Sequence, residues 1–429
     1  MARRISRRTF LRSTAAGMGA VAFSHALPYR AAAAPEIRIG TLFPLSGPMA
    51  LLGEEMFRGV EMAREIINEQ GGILGGQVVY AKADAPDATA ATSEAERLIN
   101  VEKVKVILGT YSSSMAYAAS QVAERYKVIH WEVAGNANPV SERGFKYFFG
   151  MLSPGSSLGE VAAEYAAKVV APMLKLDPKQ MRVGHLYEDT MFGTVFGGGA
   201  LARGKELGLN FVLSETYSQK AVDLSSIVLK LRALKPDIMI VTQYISDGIL
   251  FWRQAKELGL NVKALIGTGG AHSLPDFPKA MGDDANLALT SDAPVGLNTA
   301  NLTPRAQQEL KKFNERFSKK YGHIPAVHAG QGYNGAMVLL RDVLPKAGAM
   351  DPDKIREAAN RLDIPDGDTI YGYGVKFAPP GHKNAGANLR CYPMVMQWQD
   401  GNLYVVSPEK YATRKVILPL PTWEQRRKQ

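Results

Sequence analysis

The run Ser112-Ser113-Ser114 stands between a nearly all-apolar stretch at 104–109 and a segment with helical spacing at 114–126. Serine hydroxyls at such a junction, beside backbone N–H groups that a helix start leaves unpaired, can donate to a carboxylate or an amide oxygen. Serines at a helix start also simply cap it, so the pattern alone allows either role. A second polar loop, Glu132-Val133-Ala134-Gly135-Asn136-Ala137, follows His130-Trp131. Glu132 at its head could pair with a ligand cation or be an ordinary exposed charge at a strand end. Catalytic patterns are missing by contrast. Gly109-Thr110-Tyr111-Ser112 lacks the glycine that a nucleophile elbow needs two places after its serine. Gly197-Gly198-Gly199 is not followed by the lysine and Ser/Thr of a phosphate loop. The seven histidines are scattered, the single Cys391 allows no intramolecular disulfide, and no CxxC or HExxH spacing occurs. No metal, no cofactor and no catalysis are therefore expected.

Alternating strands and helices must position these loops. Strand patterns fall at 36–43, 78–83, 104–109 and 128–131, with helical spacing at 55–70, 88–102 and 114–126 between them. The pattern restarts after Ser153. Strands at 182–187, 211–217, 238–242 and 264–267 alternate with helices at 158–174, 194–207, 223–234 and 247–258. Helices follow at 304–321, 331–347 and 351–361, and the Gly/Pro-rich 366–386 reads as irregular or hairpin-like. Single helices between strands imply parallel sheets covered on both faces, and the restart implies two of them. The fold class is α/β, with two Rossmann-like lobes. Ligands of such sheets bind beyond the carboxyl ends of the strands, here the loops after Phe43, Gly109, Trp131, Tyr187, Thr242 and Gly267.

The 429-residue chain carries a net charge of +10, and its first residues explain most of it. Arg3, Arg4, Arg7, Arg8 and Arg12 precede a short apolar stretch at 15–23 and four alanines at 31–34, with no acid before Glu36. These are the three parts of a secretory signal peptide, assigned to 1–33. The apolar part, diluted by Gly17 and Gly19, is too short to span a bilayer. Ser6-Arg7-Arg8-Thr9-Phe10-Leu11-Arg12 resembles the twin-arginine export signal. Loss of residues 1–33 removes six arginines and no acid, lowering the net charge from +10 to +4. That residue of charge argues against a nucleic-acid partner.

Eight segments of the remaining chain carry a family resemblance: 37–47 (IRIGTLFPLSG), 71–76 (GGILGG) with Asp84, 107–114 (ILGTYSSS), 141–145 (SERGF), 187–193 (YEDTMFG), 223–231 (DLSSIVLKL), 236–240 (PDIMI) and 253–259 (RQAKELG). In their order and spacing they are similar to the periplasmic leucine/isoleucine/valine-binding proteins, the type I solute receptors of ABC importers. The resemblance implies two lobes, 36–152 with 292–390 and 153–291 with 391–429, joined by three chain crossings that act as a hinge. It implies a periplasmic, monomeric receptor that captures an amino acid or a related small carboxylate or amide and hands it to a membrane permease. A periplasmic sensor that presents bound solute to a separate receptor is the alternative. Ser113 aligns with a serine that binds the ligand carboxylate, with Ser112 beside it. Ala134, Gly135 and Asn136 fall in a loop that contacts the same head group, and Phe192 and Tyr244 align with cleft aromatics. Gly269 departs from the pattern, because amino-acid-binding members place there the acid that holds the α-ammonium. Either Glu132 or Asp247 substitutes, or the ligand is not an α-amino acid, since a buried ammonium without a counter-charge is costly. Leu51-Leu52 replaces a polar or aromatic contact, which points to a more apolar cleft.

Overall fold

The computed structural model describes residues 35–426, so the export signal expected in 1–33 lies outside the described residues. Strands β1 (Glu36–Phe43), β2 (Gln77–Asp84), β3 (Val106–Gly109), β4 (Ile129–Glu132) and β5 (Phe148–Gly150) form one sheet in the order β2-β1-β3-β4-β5. Every pairing in it is parallel. A second sheet takes β6 (Arg182–Glu188), β7 (Asn210–Tyr217), β8 (Ile238–Thr242), β9 (Ala264–Thr268), β10 (Leu289–Asp292), β11 (Met394–Gln399) and β12 (Asn402–Ser407). Its order is β12-β11-β10-β9-β8-β6-β7, parallel as far as β10 and antiparallel at β11 and β12. All residues of β3, β4, β8 and β9 are buried, which is why these strands read as near-continuous apolar runs.

Four strands escape the sequence pattern. β5 and β10 are too short, at three and four residues, to show a period. The β11–β12 hairpin did carry a signal: Asp400-Gly401, with φ of 52° and 74°, is the dipeptide that two-residue hairpin turns favour. The region 366–386, expected to be irregular or hairpin-like, holds no strand, only isolated antiparallel bridges from Val375 to Ile364 and from Phe377 to Asn388.

The chain crosses between the sheets three times. It passes from β5 to β6, and from β10 into the helices Pro304–Tyr321 and Val327–Met337. It returns to β11 after Ala387 bridges Gly150. Val327–Met337 packs along the helix Ala50–Glu69, which covers the first sheet with Met56, Val60, Ala63 and Ile67. A Cβ on Gly59 would lie 1.9 Å from the Ala329 carbonyl oxygen, and one on Gly332 2.2 Å from that of Met56. Only glycine fits at either side of this crossing. All eleven residues of Val327–Met337 are buried, so this helix belongs to the core and not to the surface. No helix among the described residues is long and apolar enough to cross a membrane.

Candidate ligand-binding site

The loops after β3, β4, β5, β6, β8 and β9, with the end of β10, surround one cavity that opens to solvent, about 640 Å³ with its mouth included. Ser113, Ala134, Asn136, Phe192, Tyr244 and Gly269 all line it. The serine run divides its labour. Ser112 does not reach the cavity; its Oγ accepts the Met115 N–H at 3.3 Å and caps the helix Ser113–Tyr126. Ser113 Oγ accepts the Ala137 N–H at 3.1 Å, which leaves the hydroxyl proton to donate into the cavity. Asn136 ties the β4 loop to the first crossing, donating from Nδ2 to the Ser153 carbonyl at 2.6 Å and accepting the Gly155 N–H at 2.7 Å. Gly135 is a packing position instead: a Cβ there would lie 2.6 Å from that of Ala116 and 2.8 Å from the Ser112 carbonyl oxygen.

Neither acid expected to replace the one missing at Gly269 is placed to do so. Glu132 is buried and its carboxylate is consumed by its own loop. Oε1 accepts the N–H groups of Val133, Ala134 and Gly135 at 3.0, 2.9 and 2.8 Å. Oε2 accepts the Thr110 N–H at 2.6 Å and its hydroxyl at 2.9 Å, with His130 Nε2 at 3.0 Å. A carboxylate so satisfied has no lone pair left for a ligand cation, so Glu132 is a loop anchor. Asp247 lies behind the cavity wall, bonded to the Tyr217 hydroxyl, and burial pushes its carboxyl up to about 7.

The acid arrives from the next strand. β9 and β10 run parallel with Ser291 beside Thr268, which sets Asp292 beside Gly269. A Cβ on Gly269 would lie 3.5 Å from Asp292 Oδ2, and φ of +71° at this position disfavours any side chain. Asp292 lines the cavity, and no other lining residue is an acid, lysine or arginine. Burial pushes its carboxyl up to about 6, against the pull of the Ser273 hydroxyl and of the Ala293 N–H, which Oδ1 accepts at 2.7 Å. A common feature shows once the strands are known. β2, β4, β6 and β10 all end in an acid: Asp84, Glu132, Glu188 and Asp292. The first three accept N–H groups of nearby loops, and only Asp292 faces the cavity.

Aromatic rings form the wall from the second sheet. Phe192 packs at 4.7 Å from Tyr244 and 4.5 Å from Phe196, centroid to centroid. Leu51 and Leu52 do not contribute to the cleft: the first is 75% exposed and the second lies in the core. Trp131 is likewise core, its Nε1 donating to the Gly335 carbonyl at 2.9 Å.

The profile of the family described as periplasmic binding protein matches residues 36–402. The chain belongs to that family. Among relatives of this periplasmic binding protein, "Leu/Ile/Val-binding protein homolog 8" of Brucella abortus (strain 2308) is 40% identical over 386 residues, 90% of this chain and 94% of its own. Homolog 7 of Brucella suis biovar 1 is 38% identical over 391 residues, 91% and 96% of the two chains. Among solved structures, the leucine-binding protein LivK of Thermotoga maritima superposes with a TM-score of 0.74 at 24% identity, covering 86% of this chain and 97% of its own. LivJ of Streptococcus pneumoniae, solved with isoleucine, gives 0.73 at 18%, covering 90% and 100%. The two-lobed α/β architecture of this periplasmic binding protein is theirs.

Proposed function

We propose that this periplasmic binding protein captures a zwitterionic α-amino acid in its cleft and presents it to the permease of an ABC importer. The observation that carries the reading is Asp292, a buried carboxylate facing the cavity with no counter-charge among its lining residues. An α-ammonium would supply that charge. The ligand carboxylate would be met by the Ser113 hydroxyl and the positive end of the helix Ser113–Tyr126. Relatives named as Leu/Ile/Val-binding, and neighbours solved with isoleucine or leucine, support the ligand class. In this reading residues 36–152 with 292–390 and 153–291 with 391–429 move as two bodies, and closure around the ligand forms the surface that the permease recognises. The signal at 1–33 would deliver a monomeric receptor to the periplasm, where it binds without turnover.

Calorimetric titration of ligand-stripped protein tests this. Equimolar binding of an α-amino acid is expected, with no comparable binding of the same acid lacking its amine. Ser113→Ala should weaken binding about tenfold, the loss of one hydrogen bond to a charged group. Equal affinity for the des-amino acid would refute the proposal.

A further inference from the structure

His328 and Gln331 stand one turn apart on the helix Val327–Met337, on the same face. Both line the cleft, and they are only 6% and 5% exposed. His328 Nδ1 has no hydrogen-bond partner, and the Gln331 amide makes no hydrogen bond among the described residues. Tyr111 meets His328 edge-on, with ring centroids 5.0 Å apart, and lines the same side. The wall from the second sheet, Phe192, Phe196 and Leu158 beside Tyr244, is hydrocarbon apart from the Tyr244 hydroxyl. An aliphatic ligand side chain closing over His328 and Gln331 would seal both in without partners, which is where polar sites discriminate most strongly. A hydroxyl or carboxamide would pair with them. A charged side chain would not be served. No lysine or arginine lines the cavity, Asp292 is committed to the α-ammonium, and burial holds His328 neutral by pushing its pKa down to about 4.

We propose that the cleft selects an α-amino acid whose side chain ends in a neutral hydrogen-bonding group, a carboxamide or a hydroxyl, with Gln331 and His328 as the specificity-determining residues. The inference rests on the amino-acid reading above and narrows it away from branched aliphatic ligands.

Titrations of ligand-stripped protein with glutamine, asparagine, threonine, leucine, isoleucine, valine and glutamate test it. The best neutral polar ligand should bind at least about tenfold tighter than the best aliphatic one. Gln331→Leu and His328→Phe, each checked for native circular dichroism, should each cut that preference several-fold. If one variant fails to fold, the other and the wild-type ranking still decide. Wild-type preference for leucine, isoleucine, valine or glutamate overturns the inference, as does an unchanged ranking in a folded variant. The two levels of failure are distinct. Tight leucine binding leaves the amino-acid reading standing, whereas binding of no amino acid removes that reading and this inference with it.

Discussion

At the residue scale, the role proposed for Asp292 would couple ligand capture to pH. In the proposed role it would hold an ammonium only when ionised, and in the closed, empty cleft burial raises its pKa to about 6. Protonation therefore competes with the ligand below that value. Amino-acid affinity should be unchanged between pH 7 and pH 8 and weaken between pH 7 and pH 5, by up to about tenfold, measured by calorimetry. The groups that feel its charge, Tyr111, Tyr371, Tyr373 and Cys391, all have pKa values pushed upward and stay neutral across this range. Asp292→Asn should abolish the pH dependence and lower affinity roughly a hundredfold or more, since it leaves a buried ammonium unpaired. The stability of the closed, empty form moves the other way. Its folded chain binds the Asp292 proton more tightly than an unfolded chain does, so this residue's contribution falls as pH rises from about 4 to about 6. Ser113, Asn136, Phe192 and Tyr244, which line the cavity, could be named from the family resemblance because each lies in a segment that follows a recognisable strand. Asp292 was not, because its role depends on lying beside Gly269 across two strands, and sequence does not state register.

At the element scale, the strand-end acids decide how the cleft loops are held. Glu132 gathers five N–H and O–H donors from the loops after β3 and β4, and Glu188 does the same after β6 with Thr190 and Gly193. Glu132→Gln would turn an amide NH₂ toward donors that need an acceptor. It should destabilise the fold by about 3 kcal/mol in denaturant unfolding. It should also weaken ligand binding, because Ala134 and Asn136 ride on that loop. An exposed strand-end charge and a fully satisfied loop anchor look identical in one dimension, which is why the residue type alone left its role open. Element type was clearer: the helix Pro304–Tyr321 falls on the residues its spacing predicts, while Ala50–Glu69 begins five residues before the expected 55.

At the scale of the whole molecule, the cleft is narrow and its lining is buried. Tyr111, Tyr244 and Asp292 are 7%, 8% and 6% exposed, and the helices Ser113–Tyr126 and Met191–Glu206 touch across the opening. In the proposed two-body reading, a solute would enter and leave by a hinge motion. At neutral pH an empty closed cleft would bury Asp292 ionised and alone, so the ligand-free protein should favour an open form. Small-angle scattering should show a larger radius of gyration without ligand and a decrease on adding it. Thermal stability should rise with ligand concentration, by about 2.7 kcal/mol at a hundredfold excess over Kd.

The crossing of Ala50–Glu69 with Val327–Met337 also sets a timetable for the newborn chain. While the ribosome is still making the middle of the protein, Met56, Val60 and Ala63 can meet only the first sheet, since their partner helix is not yet synthesised. The second sheet waits longer still, because β10 gains its neighbour β11 only when residues 394–399 emerge. Neither lobe can finish as a unit during translation. The last quarter of the chain is the fastener for both, and a polypeptide cut short before it leaves two incomplete apolar faces for chaperones or proteases to find.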